Sequence, residues 1–119
     1  MTDSLAGIPF LAVAHHDLRF FRSPGVYALC RRRGAQRTIL FVGQADEISA
    51  AYGRGAWTAA LEAGMNEALV NLAARARLDR LQIVAMVARA CAPSLNAPGD
   101  REAAPLPAPI PTPMTRSSR

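Results

Sequence analysis

The pattern of apolar and polar positions predicts two neighbouring strands in the first half of the chain. The turn signal Ser23-Pro24-Gly25 precedes the run Val-Tyr-Ala-Leu-Cys, whose length and residue types are typical of a strand, predicted over residues 25–31. The polar stretch 31–36 then predicts a hairpin loop. Residues 38–42 are almost continuously apolar, which predicts a second strand that is covered on both faces.

The segment from residue 46 to residue 93 predicts helices around a third strand. Asp46 can cap a short helix that reaches about residue 52, and a second helical piece covers 56–62. Residues 67–72 predict the third strand, and residues 76–91 predict the longest helix, which Pro93 closes. That helix carries apolar residues at three-to-four-residue spacing, namely Leu78, Leu81, Ala85, Ala88 and Cys91 or Ala92. The order β-β-α-β-α predicts an α+β domain with a small three-stranded antiparallel sheet flanked by helices.

The two ends of the chain give weaker signals. Residues 1–24 form an N-terminal extension of uncertain structure, in which His15 and His16 interrupt any clear period. We expect this pair to face solvent, because adjacent side chains diverge on a helix or a strand. Residues 97–119 predict a disordered, partly polyproline-II tail, since six of the nine prolines lie between positions 98 and 113. The tail is either free or a contact element for a protein partner.

Composition indicates one basic domain. The 119 residues suffice for one hydrophobic core, and the net charge of +5 comes from 14 arginines without a single lysine. Such a charge favours polyanions such as DNA, although a coding bias toward arginine and alanine would give the same composition. Two cysteines without metal-ligand spacing predict neither a disulfide framework nor a zinc site. The apolar stretch 5–14 is too short to span a bilayer, so we expect a cytoplasmic protein without a membrane anchor.

Three short motifs occur in an order that resembles the GIY-YIG nucleases. They are Gly25-Val26-Tyr27, Phe41-Val42-Gly43 and Pro93-Ser94-Leu95-Asn96, and the resemblance covers residues 25–96. It implies a phosphodiester-cleaving site on one face of a three-stranded sheet. The implied parts are one divalent metal such as Mg²⁺, held by a glutamate of the last helix, with two tyrosines and an arginine. The metal offsets charge on the phosphorane, and the cation stabilises the transition state.

Most of the catalytic side chains that the resemblance implies are replaced in this chain. Tyr27 matches the first tyrosine, which is the family's candidate general base or water-orienting group. Phe41 stands at the second tyrosine and lacks its hydroxyl. Ala51 stands at the arginine, and Val84 stands at the metal-binding glutamate. We therefore expect no metal site and little or no nuclease activity.

The structural residues of the motifs are better preserved. Gly25, Gly43 and Pro93 match the pattern, and Asn96 matches a terminal asparagine that is implied to bond backbone near the site. A turn or a helix-end cap would explain Asn96 equally well. We expect Trp57 to anchor a helix to the sheet as a core residue.

These observations favour a catalytically degenerate domain that binds nucleic acid. The binding arginines are expected at Arg31, Arg32, Arg33, Arg37 and Arg54, with Arg75, Arg77 and Arg80 further along the chain. One alternative is an active Mg²⁺-dependent endonuclease that combines Tyr27 with a relocated carboxylate, at Glu47, Glu62 or Glu67. Another alternative is a protein-interaction scaffold that uses the proline-rich tail.

Overall fold

The structure is a computed structural model that describes residues 2–96. Five strands are present in this range, namely β1 (Thr2–Leu5), β2 (Ile8–Ala14), β3 (Gly25–Arg33), β4 (Gln36–Ala45) and β5 (Glu67–Asn71). Two α-helices, α1 (Ala56–Glu62) and α2 (Arg77–Cys91), correspond to the helices predicted at residues 56–62 and 76–91. A first 3₁₀ helix covers His15–Phe20, and a second covers Ile48–Ala51. The predicted proline-rich tail, residues 97–119, lies outside the described residues.

The sheet is antiparallel throughout and has the strand order β1-β2-β5-β3-β4. The α+β class is therefore confirmed, and the three predicted strands lie side by side as β5, β3 and β4. The prediction of three strands is wrong, because the N-terminal segment adds β1 and β2 to the β5 edge. These two strands are joined at Ala6 and Gly7, which both have positive φ values, as in a tight two-residue hairpin turn. Apolar and polar residues alternate only weakly in these two short strands, so the sequence does not predict them. Their pairing in the sheet, which includes the pairing of β2 with β5, defines them as strands.

The hairpin between β3 and β4 is tighter than the sequence pattern predicts. Arg31, Arg32 and Arg33 continue β3 and pair with Thr38, Arg37 and Gln36, so the loop predicted at 31–36 is wrong. Only Gly34 and Ala35 form the turn, and Gly34 has a φ of +60°. Consecutive arginines resemble a loop in the sequence, yet this strand end accepts them because Arg33 is exposed and Arg31 and Arg32 bond the Ala63 carbonyl and Glu67.

Helices cover the sheet on both faces. Val26, Ala28 and Cys30 of β3 lie on the α2 face, which is the side packed against α2. Tyr27 and Leu29 alternate with them and lie on the opposite side, here called the Tyr27 face. Both 3₁₀ helices and α1 cover the Tyr27 face. The domain therefore has three layers with a separate core on each side of the sheet.

Two helix predictions need correction. In the apolar stripe predicted for α2, Ala85 and Ala88 are buried as predicted, but Leu78 is 63% exposed and the buried face also includes Arg80 and Val84. Asp46 does not cap a helix, since the second 3₁₀ helix has no side-chain cap and the Asp46 carboxylate accepts a hydrogen bond from Arg80 instead. The prediction for residues 56–62 is confirmed as α1. Within the described range, no helix combines the length and apolar character needed to cross a bilayer.

Candidate functional site

Tyr27 and Phe41 lie together on the Tyr27 face, above Gly43. Tyr27 pairs directly with Gly43 across the β3–β4 ladder, and the two aromatic ring centroids are 6.0 Å apart. A Cβ atom on residue 43 would lie 2.7 Å from Phe41 Cε2 and 3.0 Å from the Tyr27 hydroxyl. Glycine is therefore required at this position to leave room for both rings.

The Tyr27 hydroxyl is poorly suited to act as a base. Tyr27 is only 9% exposed, and burial raises the pKa of its phenol above the ordinary value. Among residues 2–96, no side chain or backbone group forms a hydrogen bond with this hydroxyl. The phenol therefore stays protonated at neutral pH, and no described carboxylate or guanidinium activates it.

Asn96 bonds the backbone of β4, as the resemblance implies. Its Oδ1 accepts from Val42 N at 2.8 Å, and its Nδ2 donates to Val42 O at 2.9 Å. Leu95 N also donates to Leu40 O at 2.9 Å. Because β4 is an edge strand, these bonds satisfy backbone groups that no neighbouring strand reaches. Pro93, which is buried, ends α2 just before this turn.

Gly25 permits a close approach at the start of β3. A Cβ atom there would lie 2.6 Å from Asn71 O and 2.7 Å from Ile48 Cδ1. The second 3₁₀ helix and the end of β5 can thus both pack against this strand. The two motif glycines therefore have steric roles in the fold.

Val84 is separated by the sheet from the other three positions that the resemblance makes catalytic. It is 8% exposed and packs in the core of the α2 face, whereas Tyr27, Phe41 and Ala51 belong to the core of the Tyr27 face. A valine in an aliphatic core offers no oxygen ligand, so the position does not fit a divalent cation. Within residues 2–96, no group of three or more His, Cys, Asp or Glu side chains could hold a metal ion.

None of the three candidate carboxylates forms a hydrogen bond with the Tyr27 hydroxyl. Glu47 accepts a hydrogen bond from Ser49 Oγ at 2.6 Å, outside the sheet. Glu62 is exposed at the end of α1. Glu67 begins β5 and binds two arginines at the hairpin end of the sheet. The described residues thus supply no carboxylate for a metal beside the Tyr27 hydroxyl.

Three of the expected nucleic-acid-binding arginines have internal partners. Glu67 binds Arg37 Nε at 2.6 Å and Arg32 Nη1 at 3.3 Å. Asp3 of β1 lies 3.3 Å from Arg37 Nη1, which shows that the sheet curls enough for its two edge strands to meet. Hydrogen bonding to Glu67 raises the pKa of Arg37 further. Arg31 donates to Ala63 O at 3.1 Å. These contacts join the strand ends, so Arg31, Arg32 and Arg37 are structural residues here.

Arg80, also expected to bind nucleic acid, is 1% exposed. It donates to Gln44 Oε1 at 3.0 Å, to Asp46 Oδ1 at 2.5 Å and to the carbonyl of Arg75. These bonds tie the first turn of α2 to the end of β4 and to the loop after β5. Arg80 is therefore unable to contact a phosphate without leaving the core.

A second group of arginines is exposed and forms no ion pair within residues 2–96. Arg22 precedes β3, Arg54 follows the second 3₁₀ helix, and both Arg75 and Arg77 follow β5. Because β3 begins where β5 ends, Arg22 and Arg75 lie at the same end of the sheet. Arg33, at the opposite hairpin end, is likewise exposed.

Sequence analysis missed an aromatic cluster on the Tyr27 face. The His15 and His16 ring centroids are 3.9 Å apart, so the expectation that this pair diverges is wrong. His15 lies 5.7 Å from Trp57, Tyr52 lies 4.5 Å from Trp57, and His16 Nδ1 is 3.4 Å from the Tyr52 hydroxyl. Trp57 is buried in the core as predicted. No spacing in the sequence connects these residues, because three separate elements bring them together.

The histidines of this cluster differ in environment. Burial, and then the neighbouring His16, lower the pKa of His15 below its ordinary value. The Nδ1 atom of His15 is buried and has no hydrogen-bond partner within residues 2–96. His16 is exposed, and Tyr52 is half-buried. The cluster therefore presents two accessible rings, those of His16 and Tyr52, next to the buried ring of Trp57.

Comparison of the chain with family models, with curated proteins and with solved structures finds no match. The likeness to the GIY-YIG nucleases accordingly rests on the motif residues in β3 and β4 and on Asn96. Function has to be argued from the site itself.

Proposed function

We propose that this chain is a GIY-YIG-like domain that binds nucleic acid without cleaving it efficiently. The observation that carries the proposal is a group of exposed arginines without carboxylate partners in the described range: Arg22 and Arg75, at one end of the sheet, together with Arg54 and Arg77. Unpaired guanidinium groups on one surface are the usual means of contacting phosphates.

Weak or absent cleavage follows from the catalytic positions. Removing one positioned electrostatic group commonly lowers a rate about 10²- to 10³-fold. Here the cation position is Ala51 and the metal-ligand position is Val84, on the other side of the sheet from Tyr27. The effects of such losses do not simply add, but no compensating carboxylate lies beside the Tyr27 hydroxyl among residues 2–96.

The proposed surface differs from the one that the sequence predicts. Arg31, Arg32 and Arg37 bind groups of the protein itself, and Arg80 is buried. Phosphate contacts are therefore proposed at the end of the sheet opposite the hairpin, around Arg75. Such contacts release counterions, so affinity should fall steeply with salt and depend little on sequence.

The test measures the affinity of the full chain for a labelled 20-nucleotide oligomer at several salt concentrations. Arg75→Ala should weaken binding about 3- to 10-fold and reduce the salt slope by about one unit. Arg33→Ala is the matched control, because it removes an equally exposed arginine at the other end of the sheet and should change affinity less than about 2-fold. Equal effects of the two substitutions, or no binding at low salt, would contradict the proposal.

Cleavage is tested with supercoiled plasmid and Mg²⁺ or Mn²⁺. We expect no cutting above background. Cutting that Tyr27→Phe abolishes would instead support the endonuclease alternative, because this substitution removes only the hydroxyl that the resemblance makes catalytic.

A further inference from the structure

We infer that the cluster of His15, His16, Tyr52 and Trp57 is a stacking site for an unpaired nucleobase, so that the preferred ligand is single-stranded nucleic acid. The inference rests on the proposed function and names the form of its ligand. Its basis is the geometry of four rings contributed by the first 3₁₀ helix, by the residue after the second 3₁₀ helix and by α1.

The cluster is a rigid support with two accessible rings. Trp57 is buried and lies 4.5 Å from the Tyr52 ring and 5.7 Å from the His15 ring. Contact between His16 Nδ1 and the Tyr52 hydroxyl at 3.4 Å connects the two accessible rings to each other. A ring held in this way loses little conformational freedom when a base stacks on it.

Positive charge flanks the accessible rings. Arg19 lies three residues after His16 in a 3₁₀ helix, and residues at this spacing share one side of such a helix. Arg54 follows Tyr52 by two residues and is exposed. The Arg19 guanidinium lies over the Phe20 ring, 4.7 Å from its centroid, and Arg19 is exposed. Aromatic rings between cations are the arrangement that single-strand-binding surfaces use.

The geometry selects single strands because a duplex hides the faces of its bases. Paired bases stack on each other, whereas a single strand can turn a base outward onto a protein ring. His15 Nδ1, which has no partner among residues 2–96, is the unused hydrogen-bonding group of the cluster. The acidic neighbour Asp17 follows His16 directly and therefore points to a different side of the 3₁₀ helix.

The experiment compares three ligands of equal length: a single-stranded DNA oligomer, the corresponding duplex and an abasic deoxyribose-phosphate strand. Trp57 is the only tryptophan, so its fluorescence reports directly on the cluster. We expect the single strand to bind about 10-fold more tightly than the abasic strand and to change Trp57 emission, since stacking of one base contributes about that factor.

Substitutions in the cluster test which side chains contribute to single-strand affinity. Tyr52→Ala should lower single-strand affinity about 10-fold and duplex affinity less than about 2-fold, and Tyr52→Phe should restore most of the loss because it keeps the ring. Leu78→Ala is the control, since it removes an exposed apolar side chain of α2, which covers the other face of the sheet. If Tyr52→Ala does not fold, as judged by circular dichroism, the exposed His16→Ala replaces it.

The outcomes separate the two proposals. Equal, salt-dependent binding of all three ligands would overturn the stacking site and leave nucleic-acid binding intact. Unchanged affinity in both Tyr52→Ala and His16→Ala would also overturn it. Failure of every ligand to bind would overturn the proposed function and the stacking site together.

Discussion

The two faces of the central sheet differ in the kind of helix that covers them. On the α2 face, one continuous helix buries a mostly aliphatic core that includes Val26, Val84 and Val87. On the Tyr27 face, two 3₁₀ helices and the short α1 cover a core with Tyr27 and Trp57. Short elements leave rings partly accessible, whereas a long helix excludes solvent. Groups capable of chemistry or recognition therefore collect on the Tyr27 face.

This difference separates the positions that the resemblance makes catalytic. Tyr27, Phe41 and Ala51 share one face, but the position that should hold a metal ligand belongs to the other. Restoring a glutamate at residue 84 would place its carboxylate in an aliphatic core. The fold thus accounts for the valine independently of any lost activity.

The largest effect is expected from Val84→Glu. A carboxylate in this core loses hydration, and the buried guanidinium one turn away, that of Arg80, already bonds Gln44, Asp46 and the Arg75 carbonyl. We therefore expect a loss of about 3 kcal/mol in the free energy of unfolding. Met86→Glu on the same helix is the control and should cost less than about 0.5 kcal/mol, because Met86 is 42% exposed. Urea denaturation measures both, and a gain of Mg²⁺-dependent cleavage in Val84→Glu would contradict the separation of the faces.

Gly43→Ala should affect the Tyr27 face. The added methyl group would lie 2.7 Å from Phe41 Cε2 and 3.0 Å from the Tyr27 hydroxyl, so both rings must shift. Overpacking of this kind costs about 2 kcal/mol, measured by thermal or urea denaturation. Gly34→Ala is not a suitable control because of its positive φ, whereas Ala50→Gly on the exposed surface is suitable. A neutral Gly43→Ala would show that the rings are less confined than the distances indicate.

Asn96→Ala tests the turn that follows α2 and closes the β4 edge. Two hydrogen bonds to Val42 would be lost at a partly buried position, so we expect a destabilisation of about 1 to 2 kcal/mol. The side chain in Asn96→Asp can accept a hydrogen bond from Val42 N but cannot donate one to Val42 O. The stability of this variant should therefore lie between those of Asn96→Ala and the wild type. Amide hydrogen exchange at Val42 should accelerate in Asn96→Ala, and unchanged protection would contradict the assignment.

Tyr27→Phe should change stability by less than about 0.5 kcal/mol, because the hydroxyl has no hydrogen-bond partner among residues 2–96. Chemical denaturation compares it with Tyr27→Ala, which removes the ring and should cost several times more. A strong destabilisation in Tyr27→Phe would indicate a partner for the hydroxyl.

The smallest effect concerns the pH dependence of stability through His15. Burial and His16 lower the pKa of His15 in the folded state below the ordinary value of 6.5. The neutral ring is therefore favoured in the folded state, and stability from this residue is present above pH 6.5 and is lost as the pH falls through the folded pKa. His15→Asn should flatten the decline in melting temperature below about pH 6.5. If the melting temperature of His15→Asn fell with pH as steeply as that of the wild type, other groups would be responsible for the decline.

Local patterns were sufficient for most of the regular structure between residues 25 and 96. Helix α1 begins and ends as predicted. The strands β3, β4 and β5 lie at the predicted places because they contain runs of apolar and β-branched residues and turn signals flank them. The strands β1 and β2 were not predicted, because their alternation of apolar and polar residues is weak and their strand structure depends on pairing with each other and with β5. Arg31–Arg33 resembled a loop because sequence patterns cannot anticipate partners such as Glu67.

By itself, the sequence determined the α+β class, the order of the central elements, the basic charge and the absence of acidic or cationic side chains at Ala51 and Val84. Tertiary structure alone decided which arginines are exposed, which face of the sheet each motif residue occupies, and that His15, His16, Tyr52 and Trp57 meet. The physical reason is that composition and periodicity are local properties, whereas burial, ion pairing and ring contacts depend on residues far apart in the chain.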